Sequence, residues 1–530
     1  MIFPHGSLPP KTEAKLDALT PEKLSFQQHT KPTVANLMQR SNTFVQQLKL
    51  LLIVVLFSSA APNRCALADV DSQIQALIAD GSYAEAERLL QEQIPDPSAP
   101  ATSDAAIQLE ILQRTRYDFP HTEQDLLAKL QQVMPDATTN DIARWREAGD
   151  LQYRLIDGET RYFRQAVGNL VRFNDQARRR RKAPAPADKK FDITAHVEQL
   201  VRLAESAEGP EIHPVKHNVR YELAVRNGHP HLQAGAKVRA LLPFPQEYRQ
   251  QRQVTLIRSD PPHTMLAQNG WPHRTIYFEQ TLTDPPQPPR FRAEFEFVTS
   301  AYCPQLDAAQ VRPYDTSSNL YRQYTSQRPP HIVFTPEVTE LARKIVGDET
   351  NPLEKARRVF RWVSHHVPWC SEMEYSIIPN LSAKGLAARR GDCGVQGMTF
   401  TTLCRAAGVP ARWQSGWQTK PGNWNMHDWS EFYVEPWGWL PADASYGVLE
   451  HADPRVRDFF CGSMDPYRLI VNLDYDRPLQ PPKTSFRSEP NDFQRGEIEI
   501  DGHNLYFDEW DWTFRVKSLP LAGSEELSQH

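Results

Sequence analysis

The stretch GDCGVQGMTFTTLCRAAGVP, from Gly391 to Pro410, constrains this chain more than any other. Val395, Met398, Leu403 and Ala406 fall near helical spacing, and Gly408 followed by Pro410 ends the run as a C-terminal glycine and a following proline do. The helix therefore begins at Cys393. A thiol there meets unpaired amide N–H groups and the positive end of the helix dipole, which predicts a pKa below the free value of about 8.5. The same amides are placed to stabilise an oxyanion on a carbonyl attacked by the sulfur. Gly391 and Gly394 leave room for a substrate; Asp392 beside the thiol would raise its pKa if unpaired, but it is also a natural helix cap, and the cap is the favoured reading. Cys404, about three turns further along, reads as a core residue.

A nucleophilic cysteine needs a base, and the base needs an orienting group. Downstream, NMHDWSEFYVEPWGWLPADASYG reads as two strands joined at Glu435 to Gly438. His427, Trp429, Glu431 and Tyr433 share one face of the first strand. The second brings Asp443 back to the neighbourhood of His427, with the register left open.

These three segments, GDCG with LCRAAGVPARWQSGW, then MHDWSEFY, then GWLPADASYG, resemble the core of the transglutaminase-like superfamily. The resemblance covers about residues 320 to 455 and implies a papain-like arrangement of a helix-borne cysteine against a small sheet. It implies Cys393 as nucleophile, His427 as the base that forms an ion pair with it, and Asp443 as the group that orients His427. An upstream side chain near the oxyanion is a further family feature, for which Trp369 is the candidate, with Gly394 and Trp429 as further oxyanion or substrate-binding candidates. No cofactor and no metal is implied, and no acidic calcium loop is recognisable.

Around this core the chain reads as a multidomain α+β protein. Residues 69–180 look mainly helical, with a hairpin in LQYRLIDGETRYF about Asp157-Gly158. Residues 181–209 hold the APAPA linker and a short helix from Ile193 to Glu205, and 210–305 alternate as an antiparallel β-sandwich. The core follows at 320–455, with helix starts at Thr335-Pro336, at Asn351-Pro352 with Glu354 completing a capping box, and at Ser382. Residues 456–520 are expected to pack on the core as a C-terminal extension, where Asp465, Arg468 and Asn472 are either substrate contacts or ordinary turn and salt-bridge residues.

The first 37 residues are polar and patternless and read as untranslated or disordered; from Met38 the chain reads as a signal peptide. Arg40 and Lys49 give its basic part, Leu50 to Phe57 its apolar part, and Ala66-Leu67-Ala68 a cleavage site, so 38–68 would be removed and the mature chain would begin near Asp69. The apolar stretch is short of the roughly 20 residues a membrane span needs. The expected location is secreted or periplasmic. Without Cys65, five cysteines remain, an odd number that flags a free thiol; the pairing of Cys303, Cys370, Cys404 and Cys461 is open. Two helices, a hairpin and the basic run Arg178 to Lys182 are also ingredients of a winged nucleic-acid module, but an exported chain with a net charge of -5 gives such a partner no support.

The function expected is that of an exported cysteine enzyme acting on amide bonds of a protein, peptide or cell-wall peptide through an acyl-thioenzyme. Hydrolysis is favoured over crosslinking, because transfer to an amine needs a site that excludes water. The alternative is a surface binding or scaffold protein with an idle core, which predicts a thiol of ordinary reactivity. Oligomeric state is not legible.

Overall fold

A computed structural model describes residues 63–96, 98–182 and 191–521. The untranslated extension, nearly all of the signal segment and the APAPA linker lie outside them. The helical region, the sandwich and the core belong to one compact unit.

Helices at Tyr83–Gln93, Asp104–Asp118, Glu123–Val133 and Thr139–Glu147 open that unit. Thr122 and Thr138 each close a capping box, with Asp125 and Asp141 reaching back. Strands β1 (Tyr153–Ile156) and β2 (Glu159–Tyr162) form the hairpin; Asp157 and Gly158 both have positive φ, at 50° and 79°, as a tight two-residue turn requires. Two short helices follow, Ala166–Phe173 and Asp175–Arg180. In the basic run, Arg178 pairs with Asp175, and Arg180 with Asp136 and Asp141. The helix Ile193–Glu205 has the expected limits.

The sandwich holds β3 (Glu211–Val225), β4 (Lys237–Pro243), β5 (Gln251–Asp260), β6 (Met265–Leu266), β7 (Thr275–Thr281) and β8 (Arg290–Tyr302). Alternation along β3 and β8 turns Val219, Tyr221 and Leu223 inward against Phe291, Phe295 and Phe297. Each buried phenylalanine contributes about 2–3 kcal/mol by leaving water.

The core sheet contains β9 (Ala411–Lys420), β10 (Asn423–Val434), β11 (Gly438–Ala442) and β12 (Arg468–Asn472), antiparallel in the order β11-β10-β9-β12. Helices Pro352–His366 and Cys393–Ala406 pack against it, and Pro336–Val346 and Leu381–Ala388 pack on the Cys393 helix. Thr335 and Asn351 cap as expected, but the box at Asn351 is half made: the Asn351 N–H donates to Glu349 at 2.9 Å, and Glu354 pairs with Arg357 at 2.6 Å. The third helix starts one residue earlier than expected, capped by Asn380.

The C-terminal extension is shared between two partners. β12 joins the core sheet, whereas β13 (Glu497–Ile500), β14 (His503–Leu505) and β15 (Trp510–Pro520) complete the sandwich. Its two sheets run β14-β13-β4-β7-β6 and β15-β3-β8-β5. The physical reason is that β3 and β4 offered unpaired edges, which β15 and β13 satisfy over 11 and 4 residue pairs.

Candidate active site

Cys393 opens the helix Cys393–Ala406, and Asp392 caps it by accepting from the Val395 N–H at 3.2 Å. The thiol is half-buried and donates to Asp428 Oδ2 at 3.4 Å, while the Asp428 backbone N–H points at the sulfur. The place is the open edge of β10: the last pair with β11 is Ser430 with Ala442, so residues 427 to 429 have no β11 partner. The sulfur thus stands beside the peptide that carries His427. Its described hydrogen bond is nonetheless to the carboxylate, not to the imidazole.

Consecutive residues of a strand face opposite ways, and β10 shows the consequence. Ser430 meets the Cys393 helix by donating to the Gly397 carbonyl at 2.8 Å, and Phe432 packs on Phe400. On the opposite face His427 Nε2 hydrogen-bonds Asp443 Oδ2 at 2.7 Å, and Glu431 pairs with Arg249 and Arg412.

Asp443 is fully buried and saturated. Beyond His427, its Oδ2 accepts from Arg468 at 3.0 Å and its Oδ1 from the Ser445 and Tyr446 N–H groups at 3.1 and 3.2 Å. Burial pushes its pKa up, but the charge and hydrogen bond of His427, then Arg468, overcome this and hold it at about 2. His427 is pushed down by burial, with Asp443 opposing. Arg468 lies between Asp443 and Asp465, which stands 2.9 Å away, and all three side chains are fully buried. Asn472 is buried as well, against Ser415 and the carbonyls of Asp492 and Phe493. Of the two readings of Asp465, Arg468 and Asn472, substrate contact therefore gives way to structural support, because no surface of theirs is open.

The thiol itself departs from the expectation drawn from the helix dipole. Burial first, then Asp428, then Asp392 push its pKa well above the free-thiol value. Asp392 is pushed up to about 7, by burial and then by Glu372. Burial, joined by two nearby carboxylates, outweighs one fixed dipole.

The room expected at the two glycines is occupied. A Cβ on Gly391 would meet Val395 Cγ1 at 2.2 Å, and one on Gly394 would meet Tyr375 Oη at 2.2 Å. Tyr375 accepts from the Gly394 N–H at 3.1 Å and donates to Asp428 Oδ2 at 3.2 Å. Gln494 donates to Asp428 Oδ1 at 2.7 Å and to the His427 carbonyl at 2.9 Å. Tyr375, Asp428 and Gln494 were not foreseen as site residues. For Asp428 the signal was its place directly after His427; Tyr375 and Gln494 lie in segments without periodicity.

Trp369 is half-buried, with the Arg172 guanidinium 4.7 Å over its ring and its backbone bridged to Gly391. Trp429 is 1% exposed; its indole N–H donates to Gln414 at 2.5 Å and its ring lies 5.9 Å from that of His427, which makes it a floor beneath the imidazole. The segment carrying Tyr375 is anchored at Glu374. Its N–H donates to Asp118 at 2.7 Å, and its carboxylate binds Arg164 and Arg495, the latter at 2.5 Å. The thiols of Cys303, Cys370, Cys404 and Cys461 are buried and unpaired. Among the described residues no His, Cys, Asp and Glu group has the form of a metal site, and no helix is long and apolar enough to cross a membrane.

The family model of the transglutaminase-like superfamily core matches residues 339–444. An uncharacterized protein of Haemophilus influenzae is 27% identical over 161 residues, 25% of this chain and 42% of that protein's own length. Among solved structures, a Cytophaga hutchinsonii protein described as a candidate cysteine protease aligns over 58% of this chain and 91% of its own, at 15% identity and a TM-score of 0.39. The periplasmic domain of TgpA from Pseudomonas aeruginosa aligns over 50% and 94%, at 13% identity and a TM-score of 0.23.

Proposed function

Because the chain carries a transglutaminase-like domain over residues 339–444, we infer that it is a cysteine enzyme acting on amide bonds, with Cys393 as nucleophile, His427 as base and Asp443 as the orienting group. The observation that carries the reading is the 2.7 Å hydrogen bond from His427 Nε2 to a fully buried, Arg468-backed Asp443, together with a thiol at a helix N-terminus that meets the next strand residue, Asp428. With Nε2 engaged, Nδ1 is the nitrogen left to take the thiol proton.

In the step inferred, the S–H bond breaks and its proton passes to Nδ1. The sulfur bonds to the carbonyl carbon, and the oxyanion is met by amides at the helix start. Imidazolium then protonates the leaving amine or ammonia, which leaves an acyl-thioenzyme for water or an amine to resolve. Hydrolysis is the favoured outcome, on a protein, peptide or cell-wall peptide. The sequence before Asp69 supports export to the periplasm or beyond; N-terminal sequencing of exported protein that found residues before Met38 would overturn that part.

Incubation with glutamine-bearing and amide-bearing peptides, followed by mass spectrometry of the quenched protein, tests the enzyme reading. A mass increase on Cys393 that disappears in His427→Ala supports it. Absence of any acyl adduct across such a panel, with no product released, favours the second reading. That reading, a binding or scaffold protein with an idle core, draws support from the hydrogen bond that ties the thiol to Asp428.

A further inference from the structure

The described contacts of the sulfur lead to a residue that the reaction above does not use. Three donors converge on Asp428: the Cys393 thiol and the Tyr375 hydroxyl on Oδ2, and the Gln494 amide on Oδ1. Tyr375 accepts from the Gly394 N–H, so its own hydrogen goes to a carboxyl, Asp428 at 3.2 Å or Asp392, which the same hydroxyl also meets. This is the donor pattern of a carboxylate. The side chain is 2% exposed, so water does not share in satisfying it.

We propose that Asp428 is a positioning residue that latches the nucleophile: its carboxylate holds the Cys393 thiol in a protonated resting state, and attack requires the sulfur to exchange Asp428 for His427. The proposal rests on the reading of Cys393 as nucleophile and adds how that site is regulated. Thiol and carboxyl share one proton, which stays on sulfur because a free thiol is the weaker acid by about 4–5 pH units. Forming thiolate next to the carboxylate places two negative charges side by side. On exchange, the S–H hydrogen leaves Oδ2 and passes to Nδ1 as the sulfur–carbon bond forms, so no proton is gained or lost. A carbonyl oxygen at the Gly394 N–H must displace the Tyr375 hydroxyl, which removes a second donor from the same Oδ2. Entry of the acyl donor and release of the thiol are thereby coupled.

The groups around Asp428 act on it in two senses: burial, then Asp392 and Glu489, push its carboxyl up, and the hydrogen bonds from Cys393 and Tyr375 hold it down towards the carboxylate. Asp392 faces it from the helix cap, Tyr375 from the Ser371–Ile377 segment, and Glu489 and Asp492 from the C-terminal loop, where Arg495 pairs with Glu489. Burial, then Asp428 and Asp392, push the thiol up.

The test is the rate of iodoacetamide modification of Cys393 against pH, read by peptide mass spectrometry, in the full chain. Wild type is expected to react with a midpoint above the free-thiol range. Asp428→Asn keeps the acceptor for Gln494 and removes the charge. Its midpoint is expected to fall by at least one pH unit, with the rate at pH 7 up about three- to fourfold per unit, since tenfold more thiolate is offset by lower nucleophilicity. An unchanged midpoint in a folded Asp428→Asn protein overturns the latch. So does fast wild-type modification well below pH 8, a result that needs no variant. Acyl adducts on Cys393 that depend on His427 report separately on the enzyme reading: adducts with an unmoved midpoint sink the latch alone. A shifted midpoint without adducts leaves the latch standing on a thiol that is not an acyl carrier.

Discussion

Replacing Gly394 by alanine tests how the site is packed. The added Cβ would stand 2.2 Å from Tyr375 Oη, 2.5 Å from Cζ and 2.6 Å from Cε2, where ordinary contact begins at 3.4 Å. The ring must therefore move by about 1 Å or more. It has little freedom to do so, since its neighbour Glu374 is fixed by Asp118, Arg164 and Arg495, and the ring itself packs on Trp413. Moving it breaks two hydrogen bonds, from the Gly394 N–H and to Asp428. Overpacking costs about 1–3 kcal/mol and buried donors left unmet about 1–3 kcal/mol. Alanine returns at most about 1 kcal/mol of helix propensity. A net loss of roughly 3 kcal/mol follows, concentrated at the Tyr375 segment. Hydrogen exchange of peptides spanning Ser371–Ile377 is the assay, because it reads opening segment by segment. Exchange there should quicken about 10²-fold by local opening, with the sandwich unaffected. Unchanged protection of this segment in Gly394→Ala would refute the packing of Tyr375 against the helix start.

Other perturbations reach the second half of the site. Asp443→Asn should keep the fold and lower turnover steeply, by on the order of 10⁴ if the residues act as a hydrolase triad does, measured on whichever peptide acylates Cys393. Arg468→Met leaves Asp443 and Asp465 buried without their cation and should cost about 3–5 kcal/mol in thermal or urea unfolding; it should also raise the His427 pKa, which Arg468 lowers, as NMR titration would read. His331 is buried against Asn491 and the Leu381 N–H, and burial pushes its pKa down to about 4. Between about pH 6.5 and 4 the unfolded chain takes a proton that folded His331 refuses, so stability present above 6.5 is lost as pH falls. Relative to wild type, His331→Gln should therefore lose about 1.4 kcal/mol less per pH unit across that window, and equal slopes would contradict the assignment.

What the sequence disclosed follows the range of the forces involved. Thr335, Asn351 and the Asp157-Gly158 turn act within four residues, and each is found where its local chemistry put it. The helix at Cys393 and the return of Asp443 to His427 were legible for the same reason: a capped helix and a short hairpin leave few alternatives. Alternation marks a segment as a strand but not its partner, so the strands after residue 496 gave no sign of joining β3 and β4, more than 250 residues earlier. The thiol shows the limit most clearly. A helix N-terminus argues for a thiolate, and that argument holds only where no stronger field is near. Asp428 was visible as a strand residue facing away from His427, yet its approach to the sulfur depends on β11 ending at Ala442 and leaving the edge of β10 open.

The ion pairs at Glu374 join parts of the chain that lie far apart in sequence. Asp118 and Arg164 come from the helical region, Glu374 from the core, and Arg495 from the loop before β13. Buried pairs of this kind add little net stability, because desolvation offsets their attraction, but breaking one is costly, so they fix an arrangement. Here the arrangement fixed is the place of Tyr375, one residue on, with its hydroxyl between the Gly394 N–H and Asp428. The helical region therefore bears on the surroundings of Cys393 through Glu374 and Tyr375. Any partner that loosened it would act first on the hydrogen bonds that keep the thiol at rest.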